Sequence, residues 1–177
     1  MVRVLAITKT LLEVELEEDW LHTECNLLGD SAVADHDTAV DTQIETIVPE
    51  MCATKVQPDA ATLADMQFGW NIVKHVKSNA IVVVKNGQTL GVGAGQMNRV
   101  GSAEIAMKQA HAAGVTEGLI LASDGFLPFD DTVALAAQYG VTAIVQPGGS
   151  IRDNDCVVKA DELGICMLMT GTRHFKH

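Results

Sequence analysis

From residue 58 onward the chain alternates between amphipathic stretches and short apolar runs. Pro58 and Asp59 open a predicted helix in which Leu63, Met66, Trp70 and Val73 recur at three- and four-residue steps, a stripe suited to a core. The runs "AIVVVK" (80–85) and "QTLGVG" (88–93) flank Asn86-Gly87, the dipeptide of a two-residue hairpin turn. Three helix–strand pairs follow. Helix "SAEIAMKQAHAA" stops at Gly114 before strand "GLILAS", "DDTVALAAQY" stops at Gly140 before "TAIVQ", and "RDNDCVVKADEL" stops at Gly164 before "ICMLM". Each glycine stands where a left-handed C-terminal cap is expected. The three strands are almost continuously apolar, as strands are when helices cover both faces of a sheet. The predicted fold class is α/β, a three-layer α/β/α sandwich with a hairpin leading into a parallel half. Upstream, "VRVLAI" and "LLEVEL" read as two short strands, and the acidic "GDSAVADHDTAVDTQ" as an exposed loop or hairpin.

Composition narrows the class. The 177 residues are 47% apolar and 20% charged, as in a globular domain, and the formal net charge is -11. That balance argues against general nucleic-acid binding, which needs lysine and arginine along a phosphate backbone. A small phosphorylated ligand needs only two or three local cations. The cysteines Cys25, Cys52, Cys156 and Cys166 include no C-x-x-C pair and read as free thiols of a reducing compartment. No apolar run approaches the ~20 residues of a membrane span, and the N-terminus does not resemble a signal peptide. A cytoplasmic protein without a membrane partner is expected.

Ligands of open α/β sheets bind beyond the carboxyl ends of the parallel strands. The loops leaving those ends are "GAGQMNR" (93–99), "SDGFLPFDD" (123–131), "QPGGSIRD" (146–153) and "TGTRHFKH" (170–177), and they carry Arg99, Arg152 and Arg173. Arginine forks suit phosphate or carboxylate, and glycine-rich turns that open helices offer N–H groups to an anion. Two nucleotide motifs fail. Gly91, Gly93 and Gly95 run G-x-G-x-G rather than G-x-G-x-x-G, and no G-K-[ST] follows. The H-x-E and P-C-x-x-C pairs of a zinc deaminase are missing too, and His22 and His36, among carboxylates, match no ligand spacing. No metal is expected.

The stretches "VKSNAIVVVKNGQTLGVGAGQMNRVGSA", "LASDGFLPFDD", "IVQPGGSIRD" and "TRHFKH" resemble the C-terminal half of the AICAR transformylase domain of the bifunctional AICAR formyltransferase/IMP cyclohydrolase family. "TKVQPDAATLADMQFGW" resembles the segment just before it. The likeness is dense over 54–177 and weaker over 1–53, so the whole of 1–177 is expected to form one half-domain, with the other half and the IMP cyclohydrolase domain absent.

The resemblance implies a cytidine-deaminase-like fold without zinc. It also implies formyl transfer from 10-formyltetrahydrofolate, as co-substrate, to the amine of the AICAR nucleotide. Carried over residue by residue, Asn79 resembles the asparagine at the carboxamide and amine. Arg99 and Arg173 resemble the arginines that hold the nucleotide, and Phe126 a residue at its base. Pro128, Phe129 and Asp131 fall in the folate-side loop. Lys74-His75, just upstream of Asn79, is similar to the catalytic Lys-His pair of the missing half and is the candidate for proton transfer, with His174 the other histidine considered as base. The alternative for His75 is a cation closing a helix. A homodimer, or a partner subunit supplying the other half, is implied. The competing reading of the chain is a non-catalytic purine-nucleotide or folate binding module.

Overall fold

The computed structural model describes the backbones of Val2–Ile7 and Leu12–Leu16, together with residues 46–177. The first compact unit, Met1–Glu45, contains strands β1 (Val2–Ile7) and β2 (Leu12–Leu16). They form a two-stranded antiparallel sheet with Val2 opposite Leu16 and a register shift between Val4 and Ala6. Cys25, His22, His36 and the acidic stretch 29–43 lie outside the described residues.

The second unit, Thr46–His177, holds a short 3-10 turn (Pro49–Met51) and then α1 (Ala60–Val73). Asp59 caps α1, its carboxylate accepting from Thr62 N at 2.7 Å, and this hydrogen bond holds the Asp59 pKa below its usual value. The hairpin follows as β3 (Ile81–Lys85) and β4 (Gln88–Gly93). Its turn has positive φ at Asn86 (52°) and Gly87 (67°), and Asp65 of α1 accepts from both turn amides at 2.7 Å. The alternation then runs α2 (Arg99–Ala112), β5 (Leu119–Ser123), α3 (Asp131–Gln138), β6 (Val141–Gln146), α4 (Asp153–Leu163) and β7 (Cys166–Met169). Gly114, Gly140 and Gly164 all take positive φ behind their helices, as their positions in the sequence required.

The five strands lie in the order β4-β3-β5-β6-β7. β3 is antiparallel to both neighbours, while β5, β6 and β7 are mutually parallel. Strand residues alternate between two apolar clusters. Ile81, Val83, Leu121, Ile144 and Met167 pack with Ala106, Met107, Val133 and Ala160 of α2, α3 and α4. Val82, Val84, Ala122, Val145 and Leu168 pack with Met66, Trp70 and Val73 of α1. The sheet is thus mixed, with helices against both faces, and the helix stripe read from sequence is core.

The alternating glycines have a packing cause. A Cβ on Gly91 would lie 1.9 Å from the carbonyl oxygen of Ala106, and one on Gly93 would lie 2.0 Å from that of Ser102. Their lack of a side chain lets the backbone of α2 rest directly on β4.

Candidate functional site

β4, β5, β6 and β7 point the same way, so their C-terminal ends share one edge of the sheet with the N-terminal end of β3. The loops at this edge converge on Asp124, which follows β5 and is fully buried. Its carboxylate accepts from Ala80 N at 3.1 Å, from Arg99 Nη1 at 2.5 Å and from the Ser78 hydroxyl. Its backbone carbonyl accepts from His174 N at 2.9 Å. One residue therefore ties together the entry to β3, the start of α2 and the C-terminal segment.

Arg99 stands at the first position of α2, not in the loop before a helix starting at Ser102. Asn98 is the reason: its side chain accepts from Gly101 N at 2.8 Å and starts the helix three residues earlier. The guanidinium is only 7% exposed, pairs with Asp124, and donates from Nε to the Phe126 carbonyl at 2.8 Å. Gly125 leaves room for it, since a Cβ there would stand 2.0 Å from Arg99 Nη2.

Each arginine of the edge lies over a phenylalanine. Arg99 is 5.7 Å from the Phe175 ring centroid, Arg173 is 4.9 Å from that of Phe126, and Arg152 is 5.1 Å from that of Phe129. Arg173 is exposed, and its Nη2 lies 3.4 Å from the Gly149 carbonyl oxygen. Asn79 donates from Nδ2 to the Gln96 carbonyl at 2.9 Å, and its own carbonyl accepts from the Ser102 hydroxyl at 2.8 Å. The C-terminal segment closes this side: Ser78 N donates to Lys176 O at 2.8 Å, and Lys176 N donates back to the Ser78 hydroxyl at 2.9 Å.

Asn79, Arg99, Phe126 and Arg173 are thus brought to one edge. Pro128 is half-buried and Phe129 exposed in the β5–α3 loop, and Asp131 opens α3 with its carboxylate accepting from Thr132 N at 2.6 Å. Lys74 and His75 sit at the turn that ends α1, Lys74 half-buried and His75 exposed, with His75 N donating to Ile72 O at 3.0 Å.

A second expectation is corrected. The glycine turn before α4 does not hold its amides open for an anion, because Asp153 already accepts from Gly149 N at 2.6 Å and Ser150 N at 3.1 Å. Among the described residues no group of three or more potential ligands is arranged to hold a metal ion. No described helix is long and apolar enough to cross a membrane.

Asp124, Ser78 and Phe175 were not singled out from the sequence. The one signal for Asp124 is a carboxylate placed directly after an apolar strand, at the edge where ligands bind.

The family model described as "AICARFT/IMPCHase bienzyme" matches residues 2–109. The protein named bifunctional purine biosynthesis protein PurH in Parasynechococcus marenigrum is 54% identical over 152 residues, covering 86% of this chain and 28% of that protein. The proteins of the same name in Acaryochloris marina and Anoxybacillus flavithermus are each 60% identical, over 136 and 124 residues, covering 75% and 70% of this chain. The chain spans 24% to 28% of the length of these relatives. A diaminohydroxyphosphoribosylaminopyrimidine deaminase/5-amino-6-(5-phosphoribosylamino)uracil reductase from Thermotoga maritima aligns with TM-score 0.43 and 19% identity over 60% of this chain and 34% of its own, a likeness too low to carry an argument.

Proposed function

The chain belongs to the AICARFT/IMPCHase bienzyme family, and on that premise we propose that it supplies one half of an AICAR transformylase site. The fold assigned to it is the cytidine-deaminase-like one, working without zinc. In the reaction the 5-amino nitrogen of AICAR attacks the formyl carbon of 10-formyltetrahydrofolate. The bond from that carbon to N10 breaks, the amine loses a proton and N10 gains one. The products are FAICAR and tetrahydrofolate.

That amine is conjugated with an electron-poor imidazole carboxamide and is a weak nucleophile. Rate therefore depends on holding the amine nitrogen in line with the formyl carbon and on a base to take the proton. Arg173 and Arg99 hold the nucleotide, with Phe126 against its base and Asn79 at the carboxamide and amine. Pro128, Phe129 and Asp131 take the folate. Lys74-His75 is the proton-transfer pair, histidine being suited to exchange near neutral pH. A second copy, or a partner subunit with the other half-domain, completes the site in the cytoplasm.

What carries this reading is the convergence of Asn79, Arg99, Phe126 and Arg173 around the buried Asp124, at the sheet edge where α/β folds bind ligands. Calorimetry with AICAR and a folate analogue, followed by a formyl-transfer assay on the same preparation, tests it. Binding of both with turnover is expected, reduced by His75→Ala. Binding without turnover, alone or with a partner half, turns the reading to a binding module, and failure to bind AICAR overturns it.

A further inference from the structure

Cys52 and Cys166 are 114 positions apart in sequence, yet their sulfur atoms are 3.8 Å apart. Cys52 follows the 3-10 turn and forms an isolated antiparallel bridge with Leu168 of the edge strand β7. The pairing is reinforced on either side: Ala53 N donates to Met167 O at 2.8 Å, and Met167 N donates to the Thr54 hydroxyl at 2.8 Å. Cys166 lies two residues before Leu168 on β7, and Cys52, Cys166 and Leu168 share one apolar cluster. The two thiols therefore face each other diagonally across a paired backbone, against the same side of the sheet.

Their exposures differ in a useful way. Cys52 is half-buried, whereas Cys166 is 2% exposed. We propose that Cys52 and Cys166 are a built oxidation site, which a hydroperoxide converts to a disulfide joining the segment before α1 to β7. The proposal is independent of the transformylase reading.

The chemistry balances with hydrogen peroxide as the oxidant. The Cys52 sulfur attacks one peroxide oxygen, an S–O bond forms, the O–O bond breaks, and the departing hydroxide takes the thiol proton as water. The Cys166 sulfur then attacks the Cys52 sulfur, the S–S bond forms, the S–O bond breaks, and the second hydroxide leaves with the Cys166 proton as water. Two thiols and one peroxide thus give one disulfide and two waters. The order follows from access, since the oxidant reaches Cys52 and Cys166 waits behind it. Burial, and then the neighbouring Cys52, push the Cys166 thiol up to about 12, which disfavours it as the first nucleophile. Its resolving role follows from its sulfur standing 3.8 Å from that of Cys52. Closing 3.8 Å to a bond of about 2.05 Å requires a small shift of the 3-10 segment toward β7.

Cys156 serves as the internal control. It is fully buried on the core-facing side of α4, with its thiol directed to the Leu127 carbonyl 3.6 Å away.

The test uses the reduced full chain treated with hydrogen peroxide and then digested after glutamate. Cleavage after Glu24, Glu45, Glu50, Glu104, Glu117 and Glu162 places the four cysteines on four different peptides. The expected result is loss of two hydrogens from the intact mass and a linked pair of peptides, 51–104 with 163–177. That link disappears on reduction and in both Cys52→Ser and Cys166→Ser, but persists in Cys156→Ser. The melting temperature is expected to rise on oxidation and to return with a thiol reductant. The proposal is overturned if Cys52 proceeds to a sulfinic acid while Cys166 stays free. It is equally overturned if the link joins Cys25 or Cys156, or if no link forms. The peptide map on the unmutated chain decides the matter even where a variant fails to fold.

Discussion

Replacing Asp124 tests whether one buried carboxylate organises the sheet edge. Asp124→Ala removes the acceptor of Ala80 N, of the Ser78 hydroxyl and of Arg99 Nη1, all at a fully buried position. The largest consequence is at Arg99, a guanidinium only 7% exposed that is left buried without its counter-charge. Breaking a buried ion pair from one side costs about 3–5 kcal/mol. Asp124→Asn keeps the shape and one acceptor oxygen, so its cost is smaller, about 1–3 kcal/mol, the range for a buried group left poorly satisfied. Urea unfolding followed by circular dichroism gives both values. The reasoning makes a further demand: if the stranded charge causes the loss, Arg99→Met in the Asp124→Ala background must recover stability relative to Asp124→Ala alone. An Asp124→Ala variant within about 0.5 kcal/mol of the parent, the range of an indifferent surface change, would refute the argument. So would a double variant less stable than the single one.

Four further outcomes are expected. Gly93→Ala sets a Cβ 2.0 Å from the Ser102 carbonyl oxygen of α2, a contact that only backbone movement relieves, and is expected to cost about 1–3 kcal/mol in a urea titration. Burial pushes the thiols of Cys156 and Cys166 up to about 11 and about 12, so above the unfolded value near 8.5 the native state holds protons that the unfolded chain has lost. Stability is then expected to fall as pH rises from about 9 to 11, by up to about 1.4 kcal/mol per pH unit for each thiol; urea midpoints at pH 8 and pH 10 check this, with a shallower decline in Cys156→Ser. Arg173→Ala is expected to weaken AICAR binding by roughly 1.5–3 kcal/mol while leaving the melting temperature in place. Arg99→Ala is expected to lower the melting temperature, and calorimetry beside thermal melts separates the two.

Local signals carried most of the second unit. Asn86-Gly87 marks its hairpin because few other dipeptides tolerate positive φ at both turn positions, and Gly114, Gly140 and Gly164 end helices for a similar reason. The candidate edge was legible because helix–strand alternation forces parallel strands, and parallel strands gather their exit loops on one side. What was not legible depends on strand order. β3 lies between β4 and β5, and only that insertion brings Ser78 and Ala80 to a carboxylate more than forty positions later. The purpose of Gly91 and Gly93 was hidden likewise, since it rests on the distance from β4 to a helix that follows it. The start of α2 was missed because Asn98 looked like part of a loop, when its side chain is the cap that draws Arg99 into the helix.

The charge pattern gives the edge its character. In a chain of net charge -11, arginines have many carboxylates available, yet within residues 46–177 only Arg99 among the arginines forms an ion pair. Arg152 and Arg173 instead lie over Phe129 and Phe126, and Arg173 also leans on a backbone carbonyl. An aromatic face orients a guanidinium without neutralising it, so its charge stays available to an anion. A carboxylate orients more strongly but cancels the charge. The edge therefore divides the work. Arg99, buried against Asp124, fixes the loops in place, whereas Arg152 and Arg173 keep charges that no carboxylate cancels. On the proposed transformylase reading Arg99 acts on the nucleotide through the loops it holds, and Arg173, exposed beside Phe126, offers its charge directly.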